Sequence, residues 1–315
     1  MKPFQAFVLA GTAAVLLAPL TPNQVAAQTP PGVEKMNAYV GCINRLSERS
    51  YSSRARYFSW AAKSGPTGRE RIIYGTYTIY DTSDCRKNVE KANSLLPQEP
   101  ALEAAASAYA DAVSKLEPLL KEADDYYSQE NYKDDKMAKG KALHPRLVAA
   151  WDAFESADKS LRAGVEAIND KRALEKLATI EQSEGKTARY QVEALMIQAK
   201  RVLRAADADK PDAGAIAQAL TELEGTVKAA EEFSGSGANA KPSDKIGGMF
   251  ISNAKSFMTT AKQLMRRIRD KVPYSSGDRM MLGQQGAGWM VEGSPPRLMR
   301  DYNQLIDAYN RGARI

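Results

Sequence analysis

The run Leu143-His144-Pro145-Arg146-Leu147-Val148-Ala149-Ala150-Trp151-Asp152-Ala153-Phe154-Glu155-Ser156-Ala157-Asp158-Lys159-Ser160-Leu161-Arg162-Ala163-Gly164-Val165 decides the fold class. Its large apolar side chains stand at Leu143, Leu147, Trp151, Phe154, Leu161 and Val165. Steps of three, four and seven residues keep them on one side of an α-helix, whereas a half-buried strand would alternate. The pattern runs on through Ile168, Leu177 and Ile180, and Gly185 is the expected stop.

The same periodicity extends in both directions. Upstream, Val33 to about Lys63 reads as a first helix, ended by the turn Ser64-Gly65-Pro66-Thr67-Gly68. The segment Arg69 to Leu96 holds Ile72, Ile73, Tyr74, Tyr77, Ile79 and Tyr80, a strand-like composition, but its continuation through Cys85, Val89 and Ala92 favours a helix. The two would form an antiparallel hairpin. A third helix starts at Glu99-Pro100, where proline in the first turn lacks only an N–H that would have no partner. Its buried side is Leu102, Ala105, Tyr109, Val113, Leu116, Leu119 and Ala123, with Pro118 expected to kink or break it near Ser114.

Downstream, three more amphipathic segments are marked by Tyr190 to Ala206, Ile216 to Ala230 and Phe250 to Ile268. A flexible link near 234–244 separates the last two, and a final helix is expected over Arg297 to Asn310. Val272 to Pro296 breaks the pattern: it is rich in glycine and proline, yet holds Tyr274, Met280, Met281, Leu282, Trp289 and Met290. An irregular stretch of this length with apolar side chains either packs across the end of the bundle or serves as a lid or partner-binding loop. The fold class is therefore all-α: an elongated bundle of roughly seven to eight long antiparallel helices, in one helical domain over residues 28–315, with one long irregular loop near the C-terminus.

The first 27 residues read as a signal peptide. Lys2 is their one charge, Phe4 to Leu20 is almost wholly apolar, and Val25-Ala26-Ala27 offers a small-x-small cleavage site before Gln28. The apolar stretch is shorter than the ~20 residues of a spanning helix. No cysteine follows it for lipid attachment, so the expectation is a soluble periplasmic protein with no transmembrane segment in the mature chain. Cys42 and Cys85 are the two cysteines. In an oxidising compartment such a pair reads as a disulfide, closing a loop that the chain-entropy model values at about 4 kcal/mol before strain. That bridge would staple the legs of the first hairpin. The formal charge of the chain is +6. Nucleic acid is not an expected partner outside the cytoplasm, while the cluster Arg266-Arg267-Ile268-Arg269-Asp270-Lys271 would suit an anionic polymer or lipid headgroup if it is more than a solvated helix face.

The densest collection of chemically versatile side chains is Tyr126 to His144. It contains Tyr126, Tyr127, Tyr132, Asp134, Asp135, Lys139 and His144, the only histidine in the chain. The tyrosine pair, Tyr132-Lys133-Asp134-Asp135 and Lys139-Gly140-Lys141-Ala142-Leu143-His144 resemble the signature of the YiiG-like family of uncharacterised bacterial envelope proteins, several of them lipoproteins. Asn37-Ala38-Tyr39-Val40, Gly185-Lys186-Thr187-Ala188-Arg189-Tyr190 and Tyr302-Asn303-Gln304-Leu305-Ile306 extend the resemblance over about Lys35 to Asn310. It implies a helical envelope protein, supplies no activity or catalytic residue, and its lipid anchor does not transfer to a chain without the cysteine.

Read on its own, His144 is a pH switch, base or metal ligand, or a structural residue whose neighbour Pro145 biases it toward a helix start or kink. Asp134 and Asp135 offer oxygens, but not at the spacing of a calcium loop, and zinc sites generally want more His or Cys. Any Ser-His-Asp or Cys-His arrangement would have to use His144. Gly185-Lys186-Thr187 resembles the tail of a phosphate loop, but that motif wants glycine at position 180, where Ile180 stands. No cofactor motif is read. Three readings follow. The first is a non-enzymatic protein binding another envelope component, a protein or an anionic polymer, through Tyr126–His144 or the Val272–Pro296 loop with Trp289. The second is a small-ligand or metal-binding protein with a site around Tyr126–His144. The third is a hydrolase using a carboxylate pair.

Overall fold

A computed structural model of the chain describes residues 32–208, 210–235, 245–284 and 286–312. The expected signal peptide and most of the expected 234–244 link lie outside the described residues. Within them the chain forms α1 (Val33–Phe58), α2 (Thr82–Asn93), α3 (Pro100–Ser128), α4 (Ala138–Glu184), α5 (Ala188–Asp207), α6 (Ala213–Gly235), α7 (Gly248–Arg269), α8 (Ser276–Gly283) and α9 (Pro295–Gly312). Single 3-10 turns stand at Asn131–Lys133 and Gly288–Met290. No strand occurs among the described residues, and the fold is all-α.

The chain groups into two compact units, one up to Val165 and one from Glu166 onward. The sequence, read as one helical domain over 28–315, carries no mark at this boundary because it falls inside α4, where helical periodicity continues unbroken.

In the first unit α1, α3 and the first half of α4 bury one continuous apolar face. Tyr39, Ile43 and Leu46 of α1, Tyr109, Val113 and Leu116 of α3, and Leu147, Trp151, Phe154 and Leu161 of α4 are all buried. Each such side chain contributes roughly 1.5–3 kcal/mol relative to exposure. Inside this core sits one carboxylate, Asp158, which accepts hydrogen bonds from Ser47 Oγ (2.6 Å), Tyr51 OH (2.9 Å) and Arg162 Nε (2.9 Å). Ser47 Oγ in turn meets Tyr109 OH at 2.8 Å, so the buried charge is fully partnered. The disulfide Cys42–Cys85 joins α1 to α2, with Cα atoms 5.3 Å apart.

Three expectations need correction here. Residues 69–81 are not helical, and α2 starts only at Thr82. The main-chain oxygens of this stretch are taken by side chains of α1 and the turn after it. Arg49 donates to Thr78 O (3.2 Å), Ser53 to Tyr77 O (2.7 Å), Arg56 to Tyr74 O (2.8 Å) and Trp60 to Gly75 O (2.9 Å). Gly75, at φ 66, breaks any helical course, and the β-branched residues around it add little helix propensity. Second, Pro118 does not break α3, which runs to Ser128. Third, His144-Pro145, expected at a helix start or kink, lies inside α4 and does not start it. Both prolines are exposed. The carbonyl each leaves without an N–H partner is therefore on a side that water can reach.

In the second unit α5, α6, α7 and α9 enclose a core of Leu195, Val202, Ile216, Leu220, Leu223, Phe250, Phe257, Leu298 and Leu305. Buried Thr260 donates to the buried carboxylate of Asp301, tying α7 to α9. The stretch expected to be irregular, 272–296, contains α8. The signal for it was present: Ser275 and Asp278 form a capping box, with Asp278 N donating to Ser275 Oγ (3.1 Å) and Ser275 N to Asp278 Oδ2 (3.0 Å).

Candidate functional site

Tyr126 and Tyr127 occupy the last turn of α3, and both are buried. The chain then reverses through Glu130, Lys136 and Met137, all with positive φ, before entering α4. Three non-glycine residues in the left-handed region within eight positions are costly, and the packing around them holds them there. Asp135 holds the entry to α4. Its carboxylate accepts from Lys139 N (2.9 Å) and from Tyr126 OH (2.7 Å), and these bonds keep it below the usual carboxylate range. Met137 is fully buried against Gly68, Gly140 and Tyr126.

Around this reversal lies an aromatic cluster centred on Tyr57 of α1. Its ring packs against Phe58, Trp60, Tyr127, His144 and Trp151, with centroids 5.2–6.5 Å away. His144 stacks on Tyr57 and its Nδ1 meets Tyr57 OH at 3.0 Å. Gly65, at φ +105, also approaches the imidazole: a Cβ there would stand 3.1 Å from the ring. Burial pushes the phenols of Tyr57 and Tyr126 up to about 12, and that of Tyr127 further still. At neutral pH these hydroxyls remain protonated donors. Among the described residues the buried Trp151 indole N–H has no hydrogen-bond partner.

The structure thus gathers Tyr126, Tyr127, Tyr132, Asp135, Lys139 and His144 around the α3–α4 reversal. Tyr132 packs on the tyrosine pair, and Lys139 lies 5.9 Å from the Tyr126 centroid while pairing with Glu122. Asp134 points to solvent. Trp289 belongs to the second unit. Among the described residues no three His, Cys, Asp or Glu side chains converge as a metal ligand set.

A cleft in the second unit has no counterpart among the expectations from sequence. Within the second unit, a cleft of about 210 Å3 is lined by α4, α5 and α9, including Leu174, Met196, Lys200, Arg204, Tyr302 and Tyr309. Arg204 forks onto Asp170, which holds that carboxyl below its ordinary value. Lys200 reaches the same carboxylate at 3.5 Å, while burial and the nearby Arg204 charge push its ammonium down. Tyr309 OH donates to Glu193 (2.8 Å). The signal was the i, i+4 spacing of Lys200 and Arg204, but nothing local says that α9 closes over it.

A family model described as a protein of unknown function (DUF3829) matches residues 31–311. A protein of Escherichia coli (strain K12), "Uncharacterized protein YiiG", is 43% identical over 284 residues, covering 88% of this chain and 78% of that protein. The chain belongs to the DUF3829 family. No solved structure matches it. The match covers both compact units, so the cluster of the first and the cleft of the second both lie within DUF3829. The resemblance drawn from the tyrosine pair and the Lys139–His144 run holds. Neither description names an activity, so the residues of this chain carry the functional argument alone.

Proposed function

We propose that this DUF3829 protein is an exported, non-enzymatic helical protein of the periplasm that binds another component of the cell envelope. The observation that carries this reading is the exposure of Val272, Met280, Trp289 and Met290, between 40% and 69%, on a stretch whose two ends Arg267 ties to α7. Apolar side chains held at a surface at this density suit contact with something else. The disulfide of the first unit supports an oxidising compartment, and the leader-like first 27 residues support export. Among the described residues no helix is long and apolar enough to cross a membrane.

The geometry gives less support to the alternative, a small-ligand or metal site around Tyr126–His144. Tyr126 and Asp135 bond to one another, and His144 bonds to and stacks on Tyr57. A photo-crosslinking residue placed in living cells at Met280, and separately at Met290, tests the proposal. The expected result is a defined adduct from both positions and none from the exposed control Leu96. Adducts equally frequent at Leu96, or none at all, would overturn it.

A further inference from the structure

The partner's chemistry can be read from the charges around the exposed apolar residues. We propose that the end of the second unit formed by the C-terminus of α7, by α8 and by the start of α9 is a landing surface for a bilayer bearing anionic phospholipid headgroups. This rests on the envelope-binding reading above and names its partner.

Charge is the first argument. From Arg266 to Arg300 the sequence has seven Arg or Lys against three Asp or Glu, a large share of the chain's net excess of +6. Two of the three carboxylates are engaged locally. Asp270 is held by Arg269 (2.8 and 2.9 Å), and Asp278 closes the α8 capping box. Arg266, Lys271, Arg279 and Arg300 are exposed, and among the described residues none of them forms an ion pair. Cations of this kind at one end of a unit attract phosphate headgroups, and the attraction decays within a screening length.

The second argument is the type of apolar residue set among these cations. Trp289 is the exposed tryptophan of the chain, and the Arg300 guanidinium lies 3.8 Å over its ring. An indole beside arginine suits the headgroup level of a bilayer, where an amphipathic ring meets both acyl chain and phosphate. Met280, Met290 and Val272 are exposed apolar side chains on the same stretch as these cations. The core of a protein interface is instead depleted of charge.

Third, the surface is preformed. Arg267 donates to Val272 O (3.4 Å), Pro273 O (3.1 Å) and Glu292 O (3.1 Å), clamping both ends of the stretch to α7. Its guanidinium also stacks 4.4 Å from the Tyr274 centroid, and Tyr274 OH reaches Gly293 O (3.1 Å). Gly293, at φ +64, lets the chain approach α7 so closely that a Cβ would meet Gln263 O at 3.1 Å. Little ordering entropy remains to oppose docking.

Flotation of the purified exported protein with phosphatidylglycerol-containing vesicles, against vesicles of phosphatidylcholine alone, tests the proposal. The protein should float with the first and not the second, and raising salt from ~0.1 to ~1 M, which shortens the screening length from ~10 to ~3 Å, should release it. The double variant Arg266→Gln, Lys271→Gln should bind about tenfold less while keeping its helical circular dichroism. Brominated acyl chains should quench a fluorescence component that Trp289→Phe removes. Equal binding to both vesicles, or undiminished binding by the folded double variant, would overturn the proposal. No flotation, with protein adducts still forming from Met280 and Met290, would overturn the lipid assignment and leave the envelope-binding reading standing. Failure of both experiments would end both.

Discussion

Tyr57 OH and His144 Nδ1 meet at 3.0 Å, and the two rings lie stacked 5.9 Å apart with an interplanar angle of 25°. The one histidine of the chain therefore joins α1 to α4 through a hydrogen bond and a ring contact together. Replacing His144 by Ala should lower the unfolding free energy by about 1–2 kcal/mol, the combined scale of a hydrogen bond and an aromatic pair. Urea denaturation of the variant measures it. A stability equal to the parent would take away the histidine's structural role.

Glycine is needed at one place on α4 and not at another on α1. A Cβ at Gly140 would stand 2.5 Å from Met137 Sδ and 3.0 Å from Tyr127 OH, whereas one at Gly41 meets nothing within 4 Å. Gly140→Ala should destabilise by about 1–3 kcal/mol through overpacking. Gly41→Ala should stabilise by about 0.5–1 kcal/mol through helix propensity. Thermal melts of the two variants should move in opposite directions. A stabilised Gly140→Ala would show that the α3–α4 reversal is not packed as described.

The disulfide makes a chemical prediction. Cys42 and Cys85 are both buried and bonded. The native protein should react with no thiol reagent until it is reduced and unfolded. Replacing both cysteines by Ser should cost about 2–4 kcal/mol. Alkylation of two cysteines in the folded protein would contradict the pairing.

Lys35 is buried and pairs with Glu103, while its ammonium also donates to Pro97 O at 2.8 Å. The Lys35 hydrogen bond, joined by one from Glu99 N, holds the Glu103 carboxyl below its ordinary value of 4.5. A depressed carboxylate binds its proton more weakly in the folded chain than in the unfolded one. Its contribution is therefore complete above the unfolded pKa and lost as pH falls through the folded value. Stability should decline below about pH 4.5, and Glu103→Gln should flatten that part of the profile. Lys35→Ala, which leaves Glu103 only the donor Glu99 N, should cost about 1–3 kcal/mol at neutral pH. An acid limb unchanged in Glu103→Gln would remove this pair from the account.

Much of the fold was legible in the sequence because its helices are long and amphipathic. Leu143 to Ile180 marks α4 down to its stop at Gly185, and the Cys42–Cys85 pairing follows from having two cysteines and a hairpin-like spacing. What stayed hidden depends on groups distant in sequence. Residues 69–81 carry enough apolar periodicity to suggest a helix. Arg49, Ser53, Arg56 and Trp60, some 15–29 residues upstream, hold their carbonyls in another course. Helix α3 continues past Pro118 and α4 past Pro145, where both prolines stand on exposed sides and the carbonyl freed by each can meet water.

The candidate site was legible in composition and not in role. Tyr126, Tyr127 and His144 do come together, yet their partners Tyr57, Trp60 and Trp151 are spread over more than ninety residues and turn the segment inward. Trp289 stood out as a large apolar residue in a glycine- and proline-rich stretch, but its exposure depends on Arg267 tying that stretch to α7. The cleft of the second unit needs α9 beside α5, a long-range packing that no local pattern encodes.

The most direct measurement of the central claim, an exported and disulfide-locked helical protein acting at the envelope, is the intact mass of the chain released from cells by osmotic shock. The account predicts a single species beginning near Gln28 and lighter by two hydrogens than its reduced form, recovered in the shock fluid. A full-length chain with both thiols reduced, retained with the cytoplasm, would contradict it and take the envelope partner with it.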